Sequence, residues 1–185
     1  MVVLQREKLT VLTRIHRALV QTAPKALRLP MQMVPFALQK QMMRKTLTHV
    51  FKEALAEGDF EFLQGSWLKL SVEDAGLCWF ISYQDDALQI AEQITQPDVT
   101  FTASLNDLIL MAARKEDPDS LFFQRRLKIE GDTELGLEVK NLIDSLDLAV
   151  LPALLQRALV DLATFIQQGT DLQQNGGAAS DLRPA

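Results

Sequence analysis

Apolar and polar positions recur with two different periods along this chain, and the change comes at Gly58. Before it the spacing is helical. In LQREKLTVLTRIHRALVQ (4–21), Leu4, Val11, Leu12, Ile15, Leu19 and Val20 share a face with basic residues beside it. That predicts an amphipathic helix, and Pro24 predicts its end. LRLPMQMVPFAL (27–38) is apolar but cut by Pro30 and Pro35, so it reads as a bent, adaptable segment carrying Leu29, Met31, Met33, Val34 and Phe36. A second helix follows from Phe36, with Met43, Leu47, Val50, Phe51, Ala54 and Leu55 as its stripe and Gly58 as its stop.

After Gly58 the period shortens. FEFLQGSWLKLSVED, GLCWFISYQDD, ALQIAEQ and DVTFTAS are β-rich runs separated by turn residues, the pattern of antiparallel hairpins. Leu68, Leu70 and Val72 fall on one face. Val99, Phe101 and Ala103 fall on another, with Thr100 and Thr102 opposite. Ser104 is a predicted N-cap for LNDLILMAARKE, with Leu105, Leu108, Ile109 and Ala112 inward. DPDSLFF makes a tight helical corner, RLKIEG returns as a strand, and Asp132 caps TELGLEVKNLIDSL. The run 148–169 predicts a last helix that is apolar around much of its circumference, and the residues after Gly169 read as a disordered tail.

Composition adds little until charge is divided along the chain. The 185 residues are 48% apolar and 23% charged, an ordinary globular balance with length enough for a real core. The net charge of −5 hides an asymmetry: residues 1–57 hold ten Lys or Arg against three acids, and the remainder holds nine against twenty-one. A basic front on an acidic body suits an anionic surface such as lipid headgroups or an acidic partner. An ordinary solvated face, or a basic arm folded on its own acidic body, is the alternative. One cysteine, Cys78, leaves no internal disulfide, and charges break any signal-peptide core near the start, so a cytoplasmic protein is expected.

Catalytic chemistry finds no foothold. GDTELG (131–136) precedes a helix, but it lacks phosphate-loop spacing, and Glu130, Asp132 and Glu134 would repel an anion. Asp117 and Asp119 have no calcium-loop partners, and His16 and His49 stand on separate helices without metal-ligand spacing. Cys78 sits in a strand with no activating base nearby in sequence, and no serine occupies a GxSxG elbow. The expectation is a protein that is not an enzyme, with no metal site. What remains is apolar surface in excess of a lean core, either an internal lipid pocket or simply a well-filled interior.

The succession of hairpins, DVTFTASLNDLILMAARKEDPDSLFFQRRLKIEGDTELGL and closing helices resembles the sterol carrier protein type-2 domain family. PFALQKQ (35–41), FLQGSWLKL (62–70) and DPDSLFFQRRLKIEGDTELGLEVKN (117–141) resemble, more narrowly, the members of that family that are accessory factors of oxygen-independent ubiquinone biosynthesis. The resemblance implies an α+β fold: a small, mostly antiparallel sheet covered by helices around a hydrophobic tunnel, with an N-terminal helical extension. It divides the chain into a basic helix (1–29), a lipid-binding domain (30–168) and a tail (169–185). It implies bound lipid rather than a cofactor: ubiquinone, a prenylated precursor or phospholipid. It also implies peptidase U32-type iron–sulfur hydroxylation proteins as partners, no nucleic acid, and peripheral contact with the inner membrane.

On that frame Met31, Met33, Phe36, Met43, Leu47, Phe101, Phe122, Phe123, Leu151, Leu155, Leu159 and Leu162 are the expected lipid-binding residues. Arg125 and Arg126 are expected to meet a headgroup or a partner, with a surface salt bridge as the alternative. Lys8, Arg14, Arg17, Lys25 and Arg28 are expected at a membrane surface. The rival to a lipid carrier is a protein-interaction scaffold whose apolar residues are only core.

Overall fold

The computed structural model describes residues 2–145 and 150–178, and the side chains of 15–30, 33–145 and 150–170. Helix α1 (Val2–Gln32) leads through a short elbow into α2 (Phe36–Val50) and α3 (Lys52–Glu57). A 3-10 turn (Glu61–Leu63) precedes the strands β1 (Leu68–Val72), β2 (Leu77–Gln84), β3 (Ala87–Ala91) and β4 (Val99–Ala103). Helices α4 (Leu105–Ala112) and α5 (Pro118–Phe123), strand β5 (Leu127–Gly131), and helices α6 (Thr133–Asp144) and α7 (Ala153–Ala178) complete the chain.

The five strands form one sheet in the order β3-β2-β1-β4-β5. Every neighbouring pair is antiparallel except β1 and β4 at the centre, which run parallel. The mostly antiparallel α+β architecture is therefore as expected. The register corrects one point: Leu68, Leu70 and Val72 lie opposite Val99, Phe101 and Ala103, so both sets share a single face. Trp79, Leu70, Phe101 and Ile129 make a row across four strands of that face. The row belongs to the main core, which α2, α3, α4 and α6 also enter, with Phe101 only 2% exposed. A second, smaller core joins Val20 of α1 to Leu110 of α4 and Ala113 at its end, and to Ala163 and Ile166 of α7.

Local signals set several boundaries. The Ser104 hydroxyl accepts from the Asp107 amide at 3.1 Å, and Asp132 accepts from the amides of Glu134 and Leu135. Gly58 ends α3 in the left-handed region at φ 85°. The helix predicted from Phe36 to Gly58 breaks at Phe51, whose buried ring meets Phe60 edge-on with centroids 5.4 Å apart. In α4 the inward set differs as well. Leu110 and Met111 are buried while Ala112 is only half-buried, because the helix is covered on two sides, by the main core and by the second one.

The prolines do not end α1, which continues through both Pro24 and Pro30, so the expected boundary at residue 29 falls inside a helix. Pro24 removes the donor that the Val20 carbonyl would receive in an unbroken helix. Asn106 of α4 replaces it, donating from Nδ2 to the Val20 oxygen at 2.9 Å. Gly169 is likewise not a stop: α7 runs on to Ala178. A Cβ there would lie 2.8 Å from Val20 Cγ2, so the glycine serves the close approach of α1 and α7. The remaining tail, 179–185, lies outside the described residues.

Candidate functional site

The stretch SLFF-QRRLKIEG-DTELGL builds an open, largely apolar cleft of about 380 Å³ between α5, β5 and α6. Asp117 caps α5 by accepting from the Ser120 amide at 2.8 Å and the Ser120 hydroxyl at 2.6 Å, which holds its carboxyl below the usual carboxylate range. The cap fixes the short helix so that Pro118 and Leu121 are the residues turned inward. Phe122 and Phe123 are left outside it, their rings edge-on with centroids 5.9 Å apart. Phe123 is 81% exposed, far more than a solvated aromatic ring favours without something to cover it.

Ile129 of β5 and Leu137 of α6 supply the opposite apolar walls. The two elements approach closely because Gly136 has no side chain; a Cβ there would stand 2.8 Å from Ile129 Cγ2. Gly131, at φ 104°, lets β5 turn into α6 against the Asp98 carbonyl, with which a Cβ would collide. At the rim Lys140 Nζ donates to Asp119 at 2.8 Å, and that hydrogen bond raises the lysine above its ordinary value. The cleft thus offers aromatic and aliphatic walls with one ion pair at its edge. Such a surface takes an apolar chain with a polar end.

The expected lipid-binding residues do not gather in one place. Phe122 and Phe123 line the cleft. Phe101 is core, and Phe36, Met43 and Leu47 are half-buried against that core. Leu155 and Leu162 stand exposed on α7, where Leu154 and Phe165 are exposed too; Leu151 is half-buried and Leu159 packs on the second core. Met33 is exposed at the α1–α2 elbow, and the side chain of Met31 lies outside the described residues. Leu137, Asp119 and Lys140 were not expected at the site. Leu137 had a signal: it sits off the Leu135–Val139–Leu142 stripe of its helix.

The arginine pair is divided. Arg125 is exposed, in the left-handed region at φ 61°. Arg126 turns inward: Nε and Nη2 both donate to Asp107 Oδ1, at 2.9 and 2.5 Å, and Nη1 donates to Glu116 and Gln124 at 3.2 and 3.0 Å. That corrects the expectation of a headgroup contact for Arg126, because buried Asp107 and half-buried Glu116 already hold its guanidinium. Of the expected membrane-facing cations, Lys25 and Arg28 are exposed, Arg17 is half-buried, and the side chains of Lys8 and Arg14 lie outside the described residues. A second open groove, about 650 Å³, is bordered by Arg44, Lys45, His49 and Lys52 across from Asp86.

Burial raises the Cys78 thiol above the ordinary cysteine value, with nearby Lys69 opposing the rise. His16 donates to the Phe165 carbonyl at 2.8 Å and stacks on the Phe165 ring. Among the described residues, no cluster of His, Cys, Asp or Glu is placed to hold a metal ion, and no helix is long and apolar enough to cross a membrane.

Comparison with known proteins agrees with this fold. Residues 44–144 match the model of the SCP-2 sterol transfer family. Over 158 residues the chain is 46% identical to the ubiquinone biosynthesis accessory factor UbiT of Escherichia coli (strain K12), covering 85% of this chain and 90% of that protein. The UbiT of Escherichia coli O157:H7 matches equally well. Among solved structures, one described as "UbiJ-SCP2 Ubiquinone synthesis protein" superposes with a TM-score of 0.50 at 18% identity, covering 60% of this chain and 97% of that one, a likeness of fold.

Proposed function

This chain belongs to the SCP-2 sterol transfer family, and from that premise we propose that it is a lipid-binding accessory factor of ubiquinone biosynthesis. Its cargo is a prenylated quinone intermediate or a phospholipid. Its partners are peptidase U32-type iron–sulfur proteins that hydroxylate the quinone ring without oxygen. The role is presentation, not catalysis: an isoprenoid tail costs about 25 cal/mol per Å² of apolar surface left in water, and a carrier that covers it leaves the ring for another protein. The basic front holds the molecule at anionic inner-membrane lipid while the chain loads.

The observation that carries this reading is the Phe122–Phe123 pair, kept out of the core beside Ile129 and Leu137 at the mouth of an apolar cleft. Lys140 and Asp119 stand where the polar end of such a lipid would emerge. Extraction of the protein from cells grown without oxygen, followed by lipid mass spectrometry, tests it. A prenylated quinone or phospholipid near one per chain is expected. The scaffold reading, favoured by the core placement of Phe36, Met43, Leu47 and Phe101, takes over if the protein is empty and also refuses added quinone.

A further inference from the structure

Between Glu7 and Glu53 the sequence has no acidic residue and nine Lys or Arg. That run contains most of α1, the elbow and α2. From Lys25 to Pro30 every residue of α1 is exposed, so the end of this helix projects beyond the body instead of packing on it. Yet the projecting end is apolar: Leu27 is exposed, Leu29 is 73% exposed, and Met33 in the elbow is 83% exposed. Leu38 and Met42, one helical turn apart on α2, extend the same exposed set on the far side of the bend.

Monomeric proteins seldom leave so many large apolar side chains exposed about one bend. Cations stand on both arms of the bend. Lys25 and Arg28 stand on the α1 arm, and Lys40, Arg44 and Lys45 on the α2 arm. None of these five makes an ion pair among the described residues. Charge and greasiness together select the partner. An apolar protein groove would accept the tip but leave the cations without partners, whereas an anionic bilayer satisfies both.

We propose that the α1–α2 elbow is a membrane-insertion tip: Leu29, Met33, Leu38 and Met42 enter the headgroup–acyl boundary of an anionic bilayer, and Lys25, Arg28 and Lys40 bind its phosphates. Pro35 stands at the N-cap of α2, and Gln39 Nε2 donates to the Val34 carbonyl at 2.9 Å, so the turn has some of its polar backbone satisfied within the tip itself. This moves the membrane contact from the flank of α1 to the elbow. It rests on the cargo reading only for its purpose; the docking is independent of what the cleft holds.

The test is vesicle flotation of the full chain with the double variant Leu29→Ser/Met33→Ser. Both sites are exposed, and unchanged circular dichroism checks the fold. Vesicles of phosphatidylcholine with phosphatidylglycerol should bind the wild type, and the double variant should lose about tenfold or more in partition. Lys25→Gln/Arg28→Gln should weaken binding to these vesicles in a salt-dependent way and have little effect on phosphatidylcholine alone. Leu154→Ser, at an exposed leucine on α7, should leave partition unchanged. Equal flotation of wild type and the Leu29/Met33 variant overturns the proposal. So does a wild-type dimer that the same variant converts to monomer without losing vesicle binding, since the tip would then cover a second copy. A protein that floats through the elbow but extracts without lipid would refute the cargo reading and leave this one standing.

Discussion

Asn106 on α4 donates to the backbone oxygen of Val20 on α1 at 2.9 Å, the one acceptor that Pro24 leaves without its helical donor. A side chain 86 residues away in sequence thereby repairs a helix. Asn106→Ala should cost about 1–3 kcal/mol by leaving that carbonyl unsatisfied. In a Pro24→Ala background the helix regains its own donor, and the cost of losing Asn106 should fall below about 1 kcal/mol. Urea denaturation of the four proteins measures the cycle, and equal costs in both backgrounds would show that Asn106 acts some other way.

Gly169 brings α7 onto Val20. Gly169→Ala places a methyl group 2.8 Å from Val20 Cγ2 and should destabilise by about 1–3 kcal/mol through overpacking. Val20→Ala removes the obstructing methyl, so the pair should cost less than the sum of the single changes. A double-mutant cycle on thermal midpoints reads the difference.

Adjacent arginines should respond in opposite directions. Arg126→Ala strands the buried Asp107 carboxylate and should cost about 3 kcal/mol. Arg126→Lys should recover only part, because lysine lacks the fork that meets Asp107, Glu116 and Gln124 together. Arg125→Gly should stabilise by about 0.5–1 kcal/mol, since glycine accepts φ 61° without a Cβ penalty. The shift in urea midpoint at constant slope separates these outcomes.

Alkylation of Cys78 should reach half its maximal rate at a pH above that of a free cysteine, because burial disfavours the thiolate. Removing Lys69 by substitution with Met should push the midpoint higher still. The same shift makes a stability prediction. The folded thiol holds its proton longer than the unfolded one, so its contribution is intact below the unfolded value and is lost as pH rises through the folded value. An iodoacetamide rate profile that matches free cysteine would remove burial from the account.

Phe123→Ser should leave stability nearly unchanged, since the ring is mostly exposed, and should lower the amount of lipid that co-purifies. Phe122→Ser/Phe123→Ser should lower it several-fold. Lipid mass spectrometry beside a denaturation curve distinguishes loss of cargo from loss of fold.

Much of this fold is legible along the chain where short-range rules decide the outcome. The caps at Ser104 and Asp132, the stop at Gly58 and the hairpin alternation from Leu68 to Ala103 need only a few neighbouring residues. Long-range supply is what the sequence hides. Pro24 reads as a helix end because Asn106 cannot be placed beside it in advance, and Gly169 reads as a stop because its approach to Val20 is tertiary. Asp107 and Arg126 show the same limit at the site: each looks like a surface charge until the fold sets them 2.5 Å apart. The Phe122–Phe123 pair could be singled out, whereas Leu137 and the Lys140–Asp119 rim needed the meeting of α5 with α6.

The small core that joins α1 to α7 closes the longest loop in the molecule, and that orders its assembly in time. During synthesis the sheet and its covering helices, 44–144, can collapse as soon as they emerge, but Val20 has no Ala163 or Ile166 to meet until α7 leaves the ribosome. For that interval α1 has only part of its seat, the Asn106 bond and the Leu110–Ala113 side of the small core. Docking of α7 on α1 then follows the sheet, and a protein truncated before α7 would keep its sheet while its first helix rested on α4 alone.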